Sequence, residues 1–181
     1  MAKLAFIEHK IVLSEGVSAS ISGDVVTLSG PNGTLSREFI HPKTTIEESD
    51  GGLLVRCDIP RRKEAAITGT WAAHLRNMNK GASVGFTYKL KAVYSHFPMS
   101  LKVEGNRFLV KNYFGEKVPR QAKLPWPSEV TVKVKGKTEV TVTGADREKV
   151  GQTAANIERS CTIKKRDRRI FQDGIYLVEK N

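Results

Sequence analysis

The feature that most constrains this chain is internal: its landmarks recur at an offset of 82 residues. Gly23-Asp24 falls on Gly105-Asn106, Gly33 on Gly115, and Gly69 on Gly151. Ala72 and Ala73 fall on Ala154 and Ala155, and Leu75 falls on Ile157. Identity between the landmarks is low, so what repeats is an architecture. Such a period within 181 residues predicts two similar domains, each able to bury a modest core.

The landmarks have physical roles. Gly-Asp and Gly-Asn suit two-residue hairpin turns whose first position needs positive φ. Strand-like runs flank them, at residues 17–22 and 25–29 in the first half and 101–103 and 107–111 in the second. A glycine-containing loop follows in both, Gly30-Pro31-Asn32-Gly33 and Asn112-Tyr113-Phe114-Gly115, and then another strand. The first of these loops precedes no helix, so it reads as a hairpin turn and not as a phosphate cradle. A second hairpin turns at Asp50-Gly51-Gly52 in one half and at Lys135-Gly136-Lys137 in the other. Val130, Val132 and Val134 then share one face, with Thr131 and Lys133 on the opposite one.

Each half next changes period. After Pro60, the residues Ile67, Trp71, Leu75 and Met78 recur at helical spacing, and Gly81 is the expected stop. After Gly144, Asp146 is the expected N-cap of a helix whose stripe is Val150, Ala154, Ile157 and Cys161. The expected fold is therefore α+β, two tandem similar domains, each an antiparallel β-sheet packed against one α-helix. Residues 85–93 alternate as an opening strand, which puts the N-terminal domain at 1–83 and the C-terminal domain at 84–181. Ile67, Trp71, Leu75, Val150 and Ile157 are predicted to be buried.

Catalytic patterns are absent from the sequence: no phosphate-binding glycine loop with Lys-Ser or Lys-Thr, no His-Glu-x-x-His, no Gly-x-Ser-x-Gly. His9, His41, His74 and His96 share no metal-ligand spacing, and Glu47, Glu48 and Asp50 merely flank a turn. The reading is no enzyme, no metal and no cofactor. Cys57 and Cys161 read as buried free thiols. The first residues lack an apolar core of signal-peptide length, and no run approaches the roughly 18 apolar residues of a membrane span, so the expectation is an intracellular protein without a membrane partner.

Charge supplies the positive signal. Lys and Arg number 30 against 19 Asp and Glu, a net of +11 that favours a polyanionic partner. Residues 1–98 carry a net +3 and residues 99–181 a net +8. The densest stretch is Lys164-Lys165-Arg166-Asp167-Arg168-Arg169. Its arginines suit bidentate phosphate contacts, and its lysines act as point charges. Lys111, Lys117, Arg120 and Lys123 join them as candidates on charge alone.

At these residues the chain resembles the L-six family of large-subunit ribosomal proteins in its archaeal and eukaryotic form. The family's C-terminal signature is met by Arg166, Arg169, Phe171, Asp173, Gly174, Ile175, Tyr176, Leu177 and Lys180. Residues 26–35 match its Gly-Pro-x-Gly turn, and residues 71–78 and 94–98 also fit. Arg159 departs from the pattern, which has Gln there. The resemblance implies two duplicated domains that bind large-subunit rRNA, chiefly through the C-terminal one. It also implies a place near the sarcin–ricin loop, where translational GTPases dock, with neighbouring ribosomal proteins as further partners. Such a protein is cytoplasmic, is not a homo-oligomer, and holds rRNA in place without catalysis. Carried onto this sequence, the signature makes Lys164, Lys165, Arg166, Arg168 and Arg169 the phosphate contacts. Phe171 and Tyr176 are candidates for base stacking or for core anchoring, and Asp173-Gly174 reads as a turn. Two other classes fit parts of the pattern: a free-standing regulatory or chaperone-like RNA-binding module, and a small RNA-processing enzyme. The enzyme requires a convergent acid–base or metal site that the sequence does not offer.

Overall fold

A computed structural model describes residues 5–49, 51–164 and 166–181. The chain divides into two compact units, residues 1–85 and 86–181. The first comprises β1 (Phe6–Val12), β2 (Ser18–Ser22), β3 (Val25–Gly30), β4 (Gly33–Glu38), β5 (Thr44–Ser49), β6 (Gly52–Asp58) and α1 (Arg62–Ser83). The second comprises β7 (Phe86–Val93), β8 (Ser100–Glu104), β9 (Arg107–Lys111), β10 (Arg120–Lys123), β11 (Val130–Lys135), β12 (Glu139–Gly144), α2 (Arg147–Ser160) and β13 (Gly174–Lys180).

Both units are α+β, and their strand orders match. β5-β6-β1 in the first is answered by β11-β12-β7 in the second, and β2-β3-β4 by β8-β9-β10. All pairings are antiparallel. The strands of each half are thus shared between two small sheets, and the single helix packs against strands of both. In the first unit Trp71, Ala72, Leu75, Met78 and Ala82 of α1 meet Ile11, Val26, Leu28, Leu53 and Val55. In the second, Val150, Ala154 and Ile157 of α2 meet Tyr88, Leu90, Val140, Val142 and Ile175. Gly23 and Gly105 hold φ of 59° and 54° at the first turn position, as the two hairpins require. Asp146 accepts the Glu148 N–H at 2.8 Å and caps α2. Cys57 and Cys161 are buried and unpaired.

Three local expectations change. Ile67 is only half-buried, because it sits on the shoulder of the α1 stripe. Gly81 lies buried inside the last turn of α1 and does not end it; the left-handed residue beyond the helix is Gly85, with φ of 81°. The end of α1 is instead capped from outside. Asn32 donates its N–H to the Ala82 carbonyl at 2.9 Å and its side-chain amide to the Gly81 carbonyl at 3.1 Å. A Cβ on Gly30 would stand 2.5 Å from the Ala82 oxygen, so Gly30 is what lets this turn reach the helix. The strands β1 and β13, both outside the landmark pattern, complete the picture. β13 pairs with β7, so Gly174 opens a strand and the Asp173-Gly174 pair is not a turn. Asp50 of the expected second turn lies outside the described residues.

Candidate nucleic-acid interface

The basic run belongs to a segment, residues 162–172, that leaves α2 and enters β13. Its two ends are pinned by one side chain. Tyr113, 1% exposed, donates its hydroxyl to the Cys161 carbonyl at 2.6 Å, with the Asp173 carbonyl at 3.2 Å. Burial pushes the Tyr113 pKa up to about 12, so the hydroxyl keeps its proton. The turn that aims Tyr113 inward carries Asn112 at φ 61° and Phe114 at φ 49°, left-handed positions that cost energy without glycine. A second clamp is Arg120. Its guanidinium lies 4.3 Å over the Tyr113 ring and donates two hydrogen bonds to the Glu116 carboxylate, at 2.6 and 2.8 Å. It also donates to the Thr162 carbonyl at 2.7 Å and to the carbonyl of Ser160, the last residue of α2, at 3.4 Å. Those bonds hold the Glu116 carboxyl below the usual carboxylate range. Asp173 closes the base of the segment by accepting the Ser95 N–H at 3.2 Å.

Within the segment, Arg166 stacks between two rings, 4.7 Å from Phe114 and 4.9 Å from Phe171, which themselves meet edge to face at 5.7 Å. Asp167 accepts the Arg169 N–H at 2.9 Å and folds the chain back on itself. Lys164, Arg166, Arg168 and Arg169 are exposed, so the segment presents cations on a base held from below. Lys165 lies outside the described residues.

The candidates added on charge fare differently. Lys111 and Lys123 sit on the outer face of the β8–β10 sheet, where the register sets Lys123 opposite Arg107 and Lys111 two residues along from Leu109. Arg107 and Lys102 belong to the same face, and the sequence reading passed over both; cross-strand register, which no local pattern shows, is what gathers them. Lys117 is exposed in the loop before β10. Arg120 is set apart: its donors are engaged inside the unit, and it positions the segment that carries the other cations.

Arg159 was also passed over as a ligand-facing residue. It lines an open depression of about 530 Å³ with Arg120, Gln121, Thr162 and Lys164, and a smaller one of about 170 Å³ with Arg168 and Tyr176. Its place in the last turn of α2, just before the basic run, was the available signal. Phe171 is half-buried among the rings, whereas Tyr176 is 42% exposed and donates its hydroxyl to the Gln172 carbonyl at 2.8 Å. Among the described residues no group of three or more His, Cys, Asp or Glu is placed to hold a metal ion. Likewise, no described helix is long and apolar enough to cross a membrane.

Counted by structural unit, the charge asymmetry is sharper than by sequence halves. Residues 1–85 carry ten cationic and nine anionic side chains, and residues 86–181 carry twenty and ten, nets of +1 and +10. The counterpart of the Lys102, Arg107, Lys111 and Lys123 face shows how. On the β2-β3-β4 sheet it is built from Ser18, Ser20, Thr27, Ser29, Thr34 and Ser36, aligned row by row across the strands.

The family model described as Ribosomal protein L6 matches residues 13–85 and 97–174, one match in each unit. The chain belongs to the ribosomal protein L6 family. The L6 relatives are similar along nearly their whole lengths. Large ribosomal subunit protein uL6 of Methanosarcina mazei is 48% identical over 174 residues, which cover 96% of this chain and 97% of that protein. The uL6 of Methanobrevibacter smithii is 43% identical over 180 residues, 99% of each chain. The L6 duplication is therefore the repeat seen in the sequence, and the strand orders of the two units are its three-dimensional form.

Proposed function

We propose that this chain is a structural constituent of the large ribosomal subunit that binds large-subunit rRNA, chiefly through its C-terminal domain, from residue 84 onward. The observation that carries the reading is the net charge of +10 on the second unit, with the exposed Lys164, Arg166, Arg168 and Arg169 on a clamped segment. Lys164, Lys165, Arg166, Arg168 and Arg169 meet phosphates, with Lys111, Lys117 and Lys123 adding to the field and Arg159 joining from the helix end. Arg120 acts as the positioning residue. Phosphate contacts of this kind set register and orientation and do not read bases. Membership of the L6 family supports a cytoplasmic, ribosome-bound life beside other ribosomal proteins. The family resemblance also supports a site near the sarcin–ricin loop, close to docked translational GTPases. The chain acts as a monomer and holds rRNA in place without catalysing a reaction.

Sedimentation separates this reading from a free regulatory or chaperone-like module. The chain is expected to stay with large subunits in stoichiometric amount through a moderate salt wash. Release into the supernatant at that salt would favour the free module, and magnesium-dependent RNA cleavage by the purified chain would favour an enzyme.

A further inference from the structure

The second unit has another cationic surface, whose lysines lie outside the sequence signature and which shares only Gly174 and Tyr176 with it. On the β11-β12-β7-β13 sheet, alternation sends Val130, Val140, Val142, Tyr88 and Leu90 toward α2 and leaves the opposite face bare. Register arranges that face in rows. Lys135, Glu139, Lys91 and Tyr176 form one, and Lys133, Thr141, Lys89 and Glu179 the next. Thr131, Thr143 and Thr87 form a third. All four lysines are exposed. Lys89 pairs with Glu179 at 2.8 Å, while Lys91, Lys133 and Lys135 have no ion-pair partner among the described residues.

The equivalent face of the first unit is of mixed sign, with Glu8, Lys10, Glu47, Arg56 and Asp58, and its Arg56 and Asp58 are paired at 3.0 Å. Lys10 on that face likewise has no ion-pair partner among the described residues, so what sets the second unit's sheet apart is the array of its lysines and not the presence of a free cation. Tyr176 gives the face its one exposed ring. A Cβ on Gly174 would lie 3.3 Å from that ring, so the glycine leaves room for the ring to lie against the strand.

We infer that this helix-free sheet face is a second RNA contact surface, which takes a short unpaired segment with its phosphates along the lysines and one base against Tyr176. The inference rests on the polyanion-binding reading of the second unit but uses residues outside the 162–172 segment. Lysines two residues apart on one strand stand roughly 6.8 Å apart, and the β7 and β11 pairs are about 9.6 Å apart across the sheet. That is a charge array suited to a chain of phosphates, with threonine hydroxyls between as further donors. An exposed ring beside cations suits unpaired bases, because bases within a duplex do not offer their faces. Beside Tyr176, the exposed apolar side chains of this sheet are Val93 and, in the bulge of β13, Val178, a small area next to four lysines, which argues against a lipid surface.

The test uses the full chain and two probes: a uridine decamer and a blunt RNA duplex of the same length, each titrated by fluorescence anisotropy at several salt concentrations. Replacing Lys91, Lys133 and Lys135 together with Gln is expected to flatten the log–log salt slope for the decamer by about two units. Tyr176→Leu, which keeps an apolar cover on Gly174, is expected to weaken decamer binding roughly fivefold or more with less effect on the duplex. Circular dichroism establishes that both variants are folded. Large-subunit rRNA binding is measured alongside. Unchanged slope and affinity for the decamer in both variants, or failure of the unaltered chain to bind the decamer, overturns this surface. If rRNA binding is intact in that case, the proposed function stands without it.

Discussion

Replacing Lys164, Lys165, Arg166, Arg168 and Arg169 together with Gln is expected to flatten the salt dependence of binding to large-subunit rRNA by about four units in log–log slope. That figure follows if each cation meets about one phosphate and releases its condensed counterion. At low salt the loss of affinity should reach several orders of magnitude, the largest single effect predicted for this chain. Stability should fall by only about 1 kcal/mol, through the loss of Arg166 from the Phe114 and Phe171 rings. Arg168 and Arg169 are exposed, Arg169 is paired only with its neighbour Asp167, and exposed pairs contribute little to folding. Preference among RNA sequences should move less than affinity, because phosphates carry no sequence information. Filter binding of the full chain over a range of salt concentrations reads slope and affinity together.

Tyr113→Ala is expected to lower stability by about 3–5 kcal/mol, the range for removing a buried aromatic ring. The ring is 1% exposed and packs against Phe114 at 4.6 Å, with Arg120 above it. Tyr113→Phe isolates the hydroxyl. It keeps the ring but leaves the Cys161 and Asp173 carbonyls without their donor, at a cost of about 1–3 kcal/mol. The two variants also separate stability from binding. Tyr113→Phe removes no cation, so the salt slope for rRNA should stay the same while affinity falls, because the ends of the 162–172 segment are no longer tied together. Urea unfolding of the full chain measures the first effect and the salt titration the second. A loss below about 1 kcal/mol for Tyr113→Ala would mean that the ring does not anchor the core.

The contrast between Tyr113 and the basic run shows what the sequence could reveal. Hairpins at Gly23 and Gly105, the cap at Asp146 and the two apolar stripes are local: each is a turn preference or a period, visible within a few residues. The basic run is equally local, and so is its charge. What pins that run is not. Tyr113 reaches Cys161 and Asp173 across 48 and 60 residues, and Arg120 reaches Thr162 across 42. Nothing near Arg120 in sequence distinguishes a clamp from a phosphate ligand, so charge alone grouped it with Lys117 and Lys123. The same limit hid the cationic faces. Lys102 and Arg107 look like scattered surface charges until register places them beside Lys111 and Lys123. Lys91 stands near Lys135 only because β7 and β11 both flank β12. β13 escaped notice for a related reason: its burial comes from pairing with β7 at one edge, and only Gly174 and Ile175 are fully covered.

Lysine-modification footprinting of the full chain, free and bound to large-subunit rRNA, tests most directly whether the second unit is the one that holds RNA. Protection is expected at Lys164, Lys117, Lys111 and Lys123. Lys10, Lys43 and Lys63 of the first unit are expected to react equally in the free and bound states. Protection of the first unit's lysines to the same degree, or none at Lys164, would contradict it.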